Sequence, residues 1–365
     1  MNKRDFLNNA LLLGLGAMAF GCSSNTFSNN NQTANANTKM KLKRIKPKGL
    51  KIGDKIGVIA PSTNVSDPED VARAIKTLEY FGFVPVLGEY LQNGSGYKTR
   101  LPQERASDLH SMFENDEING IIAIRGGYGS PQILDKIDFD LIKNNPKVFC
   151  GYSDITALNI AIYQNTGLVT FHGPVLMSNF SPYTEKSFRD LIFAGGTNPF
   201  QIKYFNPDTK KGILPMYPTL TIKDGEAEGE LVGGNLSLIS GLMGTPYEID
   251  TKGKLFFLED VGEKPFRVDR MLTQLRLAGK FDDAAGIIIG KCEDCGPEGS
   301  GATTWDRTVN EVYYDILGDL NKPIVANMMI GHSTDRLTLP LGIKAKLNST
   351  EASLTILESA VEWDN

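Results

Sequence analysis

The sequence predicts an α/β protein in two parts: an N-terminal domain on a doubly wound, mostly parallel sheet, then a C-terminal mixed α/β domain. Three observations predict it. Short apolar runs alternate with helical stretches from residue 50 onward, a polar stretch rich in proline interrupts them at 181–225, and 41% apolar content over 365 residues suffices for real cores.

The chain opens with "MNKRDFLNNALLLGLGAMAFGC", a short basic head and an apolar run from about Ala10 to Phe20 that ends in Gly21 and Cys22. That run is too short to span a bilayer, so residues 1–22 read as an export signal. "KRDFL" is similar to a twin-arginine signal and "AFGC" to a bacterial lipobox. The expectation is an exported protein, periplasmic or held to a membrane by a lipid on Cys22. Residues 23–45 follow, and their Asn/Ser/Thr-rich first part has almost nothing apolar to bury, as in a disordered tether.

Within 46–180, "KIGVIA" reads as a buried strand, and Asp67-Pro68 then caps and starts a helix. "FVPVLG", a helix near 102–114, "GIIAIR", a helix from Ser130, "KVFCGY", "ITALNIAIYQNTG" and "LVTFHG" continue the alternation. Five strands interleaved with helices imply a parallel sheet. Prolines 182, 199, 207, 215 and 218 make 181–225 an irregular connection. Within 226–365, "GELVGG", "KLFFLED", "AGIIIGK" and "PIVANMM" read as strands, and "LGIKAKLN" with "ASLTILE" as a closing hairpin.

Lys and Arg total 38 against 43 Asp and Glu, a net charge of −5, so no broad basic field invites nucleic acid. Cys292 and Cys295 in "KCEDCGP" lack a second ligand pair, so a local disulfide or two thiols in a turn is expected before zinc.

"GIIAIRGGYGSPQIL" (120–134) carries the densest signal. Ligands of open α/β sheets sit beyond the carboxyl ends of strands, where Ser130 lies. The stretch matches neither the dinucleotide fingerprint, the phosphate loop with its lysine, nor the hydrolase elbow G-x-S-x-G. Pro131 has no N–H and cannot donate to an oxyanion. Gly126, Gly127 and Gly129 let backbone N–H groups approach a substrate closely. On the residues alone, Ser130 is a nucleophile, a helix cap or an anion ligand.

A serine nucleophile needs a base, and the chain has three histidines. His110 sits mid-helix, whereas His172 ends a strand in "TFHGPV" and His332 follows one in "NMMIGHSTDR", so the last two are nearly equal candidates. Glu259 and Asp260 end the strand "KLFFLED", and alternation lets only one of them face a given crevice. The order Ser, acid, His is also that of α/β-hydrolases.

These blocks bring a resemblance. "AIRGGYGSPQILDKID", "GYSDITALN", "FHGPV", "GELVGGNLSLISGLMGTPYEID", "LFFLEDVGEKPFRVDRMLTQLRLAG" and "GHSTDRLTLPLGIKAKLN" resemble the LD-carboxypeptidase family of serine peptidases, the S66 group, from about 50 to 358. The resemblance implies a triad of Ser130, Glu259 and His332, choosing Glu259 over Asp260 and His332 over His172, in a cleft between the two domains. It implies a serine carboxypeptidase that hydrolyses the L,D-amide bond between the diamino acid of a murein tetrapeptide and its terminal D-alanine, with neither metal nor cofactor. Arg125 is the candidate ligand for the substrate's terminal carboxylate, and Gly126, Gly127 and Gly129 for the oxyanion. Two alternatives are a microcin-immunity type of amidase acting on aminoacyl nucleotides and a non-catalytic lipoprotein that binds wall fragments. Pairing of two copies into a homodimer is left open.

Overall fold

The apolar runs of the N-terminal half build one sheet: β1 (Lys55–Ile59), β2 (Val84–Leu87), β3 (Gly120–Ala123), β4 (Val148–Gly151) and β5 (Phe171–His172). They were traced in a computed structural model that describes residues 43–92, 101–195, 201–207, 210–211, 214–215, 218–296 and 307–363. The expected signal, Cys22 and residues 23–42 of the tether lie outside the described residues. A sixth strand, β14 (Leu339–Pro340), arrives from the far end of the chain and pairs antiparallel with β5, which no local signal announces.

The order β14-β5-β4-β3-β1-β2 reverses direction between β1 and β3. Such a reversal splays the two outgoing loops apart and opens a crevice at the carboxyl edge. Into it run the loop after β1, carrying Ser62 and Thr63, and the loop after β3, carrying Gly126 to Ser130.

Helices cover this sheet because their apolar positions repeat at helical spacing. In Pro68–Tyr80, Asp67 accepts from the Glu69 amide, Pro68 takes the first turn, and Val71, Ala74 and Leu78 are buried. The helix expected from Ser130 is a 3-10 segment, Ser130–Lys136. It stops because Ile137 is extended and the Asp138 side chain caps a new helix, Phe139–Asn144, by accepting from the Leu141 amide.

The second sheet holds β6 (Ile202–Tyr204), β9 (Leu220–Lys223), β10 (Glu226–Asn235), β11 (Leu255–Glu259), β12 (Gly286–Gly290), β13 (Ile324–Met328), β15 (Lys344–Asn348) and β16 (Ser353–Ile356). Their order is β6-β16-β15-β10-β11-β12-β13-β9, while β7 (Lys210–Lys211) and β8 (Leu214–Pro215) pair separately. β10 to β13 are parallel, and β15 with β16 forms the expected antiparallel hairpin. The proline-rich stretch is more regular than expected: Pro182–Ile192 is a helix, and β6 and β9 join the sheet. Ser181 accepts from the Thr184 amide and Pro182 occupies the first turn, so a pair that reads as a breaker is a helix start.

One apolar cluster runs from Ile56 and Phe171 of the first sheet to Leu231, Phe257 and Leu354 of the second. The two sheets, rich in parallel strands, therefore share one core, with the ends of β4, β5 and β11 near one junction. Among the described residues, no helix is long and apolar enough to cross a membrane.

Candidate active site

Ser130 is fully buried at the start of its 3-10 segment, behind Gly129 at φ 114°. Its amide donates to Oδ2 of Asp154 at 2.7 Å, and its hydroxyl donates to the backbone carbonyl of the same residue. Ser62 donates to the same Oδ2 at 2.5 Å. The carboxylate of Asp154 thus staples the loop after β1 and the loop after β3 to the loop after β4.

Two further contacts shape the glycine turn. Gly127 has φ 117°, and a Cβ there would lie 2.3 Å from Oγ1 of Thr63, so only glycine fits. Arg105, 1% exposed, donates from Nη1 to the carbonyls of Pro61 and Gly129, each at 2.8 Å, and from Nη2 to Gln132 at 2.8 Å. Arg125, just ahead of the turn, is half-buried and pairs with no described residue.

On the second sheet, β11 delivers Glu259 with no exposed side-chain surface, and Oε2 lies 2.8 Å from Nδ1 of His332. A carboxylate on Nδ1 fixes the tautomer in which Nδ1 carries the proton and Nε2 holds the free lone pair. Burial pushes the Glu259 carboxyl up, but the His332 hydrogen bond and the nearby imidazoles outweigh it and hold the group below its usual range. Gly331 makes the approach possible: a Cβ there would lie 1.9 Å from Oε2 of Glu259.

Asp260 points elsewhere, as strand alternation requires. Its Oδ1 accepts from Asn235 at 3.0 Å, and its Oδ2 accepts from the amide and hydroxyl of Ser237 at 2.9 and 2.8 Å. It secures the start of helix Leu236–Gly241 rather than an imidazole. Burial, then the charge of Glu259, pushes the Asp260 carboxyl up.

The two histidines that sequence left nearly equal both belong to this place. His172 is 1% exposed, with Nε2 at 3.8 Å from the other oxygen of Glu259. Tyr152 joins the halves: its ring lies 4.8 Å from that of His332, centroid to centroid, two residues before the Asp154 that holds Ser130. The structure brings Glu259 and His332 into direct contact, while the Ser130 hydroxyl is bonded to Asp154 rather than to His332. His110 is apart from the site; its Nε2 accepts from the Asp138 amide at 3.0 Å.

Sequence profiles for the two LD-carboxypeptidase domains, N-terminal and C-terminal, match residues 56–173 and 228–347. The chain belongs to the LD-carboxypeptidase family. The probable murein peptide carboxypeptidase of Bacillus subtilis is 41% identical over 316 residues, covering 85% of this chain and 94% of that one. The microcin C7 self-immunity protein MccF of Escherichia coli is 30% identical over 333 residues, with 85% and 94% covered. Among solved structures, MccF in complex with glutamyl sulfamoyl guanosine superposes with TM-score 0.77 at 28% identity, covering 87% of this chain and 99% of the other. The muramoyltetrapeptide carboxypeptidase of Oxalobacter formigenes gives 0.69 at 28%, covering 85% and 100%.

Against that family frame, sequence reasoning missed Arg105 and the Asp154 carboxylate as supports of the glycine turn. A signal for the first existed, because Arg105 precedes Leu109 and Met112 on the buried stripe of its helix. Cys292 and Cys295 form a disulfide in the loop after β12, one of the two readings preferred over zinc. Among the described residues, no three His, Cys, Asp or Glu side chains are grouped to hold a metal.

Proposed function

We propose that this carboxypeptidase is a serine hydrolase that cleaves the L,D-amide bond between the diamino acid and the terminal D-alanine of murein tetrapeptides. The observation that carries the reading is the buried Glu259–His332 hydrogen bond at 2.8 Å, which leaves His332 Nε2 as a proton acceptor. Ser130 turns its hydroxyl from the Asp154 carbonyl toward Nε2 when substrate enters, since catalytic bonds often tighten only in the complex. His332 takes the proton, Oγ attacks the carbonyl, and the tetrahedral intermediate collapses as His332 passes that proton to the departing amine, which releases D-alanine and leaves the tripeptide as an acyl group on Ser130. Water activated by the same imidazole completes the cycle.

The oxyanion donors follow by elimination within the turn. The Ser130 amide is committed to Asp154, the Tyr128 amide donates to Thr63 at 2.9 Å, and Pro131 has none. Gly126, Gly127 and Gly129 retain uncommitted amides among the described residues. Arg125, with no partner among the described residues, is the ligand for the substrate's terminal carboxylate. Export and a lipid on Cys22 would place this activity on wall-derived peptides, a point tested by fractionation and fatty-acid labelling of the wild-type and Cys22→Ser chains.

The higher TM-score to MccF supports a second reading, an amidase of aminoacyl nucleotides. The test offers the mature protein a murein tetrapeptide, the corresponding tripeptide and an aminoacyl sulfamoyl nucleotide, with chelator present. Release of D-alanine from the tetrapeptide alone, abolished in Ser130→Ala, is the expected result. Cleavage of the nucleotide alone selects the second reading, and loss of activity on chelation removes the serine mechanism.

A further inference from the structure

His172 is the buried group that this mechanism leaves unused. It stands at the end of β5, its ring 5.3 Å from Phe257 and 6.2 Å from Tyr152, each edge-to-face. Among the described residues, neither ring nitrogen has a hydrogen-bond partner, and neither does Oε1 of Glu259. Buried polar atoms left single are rare and destabilising. Here two such atoms face each other, Nε2 of His172 and Oε1 of Glu259, 3.8 Å apart.

We propose that His172 is a positioning residue that donates Nε2–H to Oε1 of Glu259, so that one carboxylate is held by two imidazoles. The inference rests on the serine-hydrolase reading of His332. At 3.8 Å the resting contact is longer than a hydrogen bond, and a small rotation of either side chain closes it. The gain comes as charge develops: when His332 accepts the serine proton, the ion pair draws on Oε2, and a fixed donor on Oε1 keeps the carboxylate from swinging away. No bond is made or broken at His172, and its proton stays on Nε2.

This role needs a neutral imidazole. The titratable and charged groups that face His172 are Glu259 on β11, His332 and Arg336 in the loop after β13, and Tyr152 after β4. Burial, opposed by Glu259 and aided by His332 and Arg336, lowers its pKa to about 4, so at neutral pH it is an uncharged donor. A second charged imidazole beside His332 would instead oppose the proton transfer.

The experiment compares wild type, His172→Phe and His172→Gln in the mature protein, since the glutamine amide can occupy the Nε2 position. Steady-state turnover of the tetrapeptide is measured across pH with thermal melts, and histidine tautomers are assigned by 15N NMR in the wild type. Expected are Nε2–H on His172 at pH 7, a kcat lowered about 10- to 100-fold in His172→Phe with KM little changed, and recovery in His172→Gln. Without the donor the carboxylate holds the charged His332 less firmly, so the acid limb of kcat/KM moves to lower pH in His172→Phe. Equal losses in both variants with an unmoved limb, a kcat for His172→Phe near wild type, or a proton on Nδ1 overturns the proposal. Turnover that survives Ser130→Ala defeats the serine reading instead, and the tautomer assignment still judges His172.

Discussion

Nη1 of Arg105 donates to the carbonyl of Gly129 at 2.8 Å, one residue ahead of Ser130. With its bonds to Pro61 and Gln132, one buried guanidinium spans the exit of β1, the glycine turn and the 3-10 segment. Lysine cannot reproduce that fork. Arg105→Lys is expected to lose about 2–4 kcal/mol of stability and at least tenfold in kcat, read by melts and tetrapeptide turnover. Stability lost with turnover intact would reduce Arg105 to a structural role.

Gly331 is the second position where backbone decides chemistry. Its φ is +75°, and the missing Cβ is what lets Glu259 reach His332. Gly331→Ala must push the carboxylate aside. A shift of about 1 Å in catalytic geometry can cost about 100-fold in rate. A loss of that size with near-native circular dichroism is the expected outcome, and an active variant would show that Glu259 does not orient the base.

Much of this was legible along the chain, for a physical reason. Parallel strands buried on both faces must be continuously apolar, so "KIGVI", "GIIA" and "LFFLE" announced themselves, His172 and Glu259 stood out as polar residues at strand ends, and Ser130 stood out in the glycine turn beyond one. β14 was not legible, because two residues carry no period and its pairing depends on the far end of the chain. The choice between His172 and His332 had no local answer either: both follow apolar runs, and both converge on one carboxylate. Arg105 reads as an ordinary helical cation until three separate carbonyl oxygens are seen around it.

The disulfide of Cys292 and Cys295 braces the neighbour of the Glu259 strand, since the loop it closes receives the Gly262 amide at the Glu293 carbonyl, 2.8 Å away. So short a loop restrains the unfolded chain little, about 2 kcal/mol on the chain-entropy estimate. Reductant should lower the melting temperature of the wild type by a few degrees and leave Cys292→Ser/Cys295→Ser unmoved. A reductant effect of equal size in the double variant would place the sensitive bond elsewhere.

Acid should unfold the protein earlier than its carboxylates alone would require. His172 titrates at 6.5 when free but at about 4 in the fold, so between those values the unfolded chain binds a proton that the native one refuses. Stability therefore falls as pH drops through that window, by roughly 3 kcal/mol from this group. Burial lowers His110 as well, and charging it would break its bond from the Asp138 amide, which adds in the same direction. Glu259, held low, withdraws its contribution only below the ordinary carboxyl range, whereas Asp260, held high, is relieved as it protonates and opposes the trend. Urea midpoints measured from pH 7 to 4.5 should decline steadily in the wild type and more gently in His172→Phe. Parallel slopes would mean that His172 does not hold its proton off in the fold.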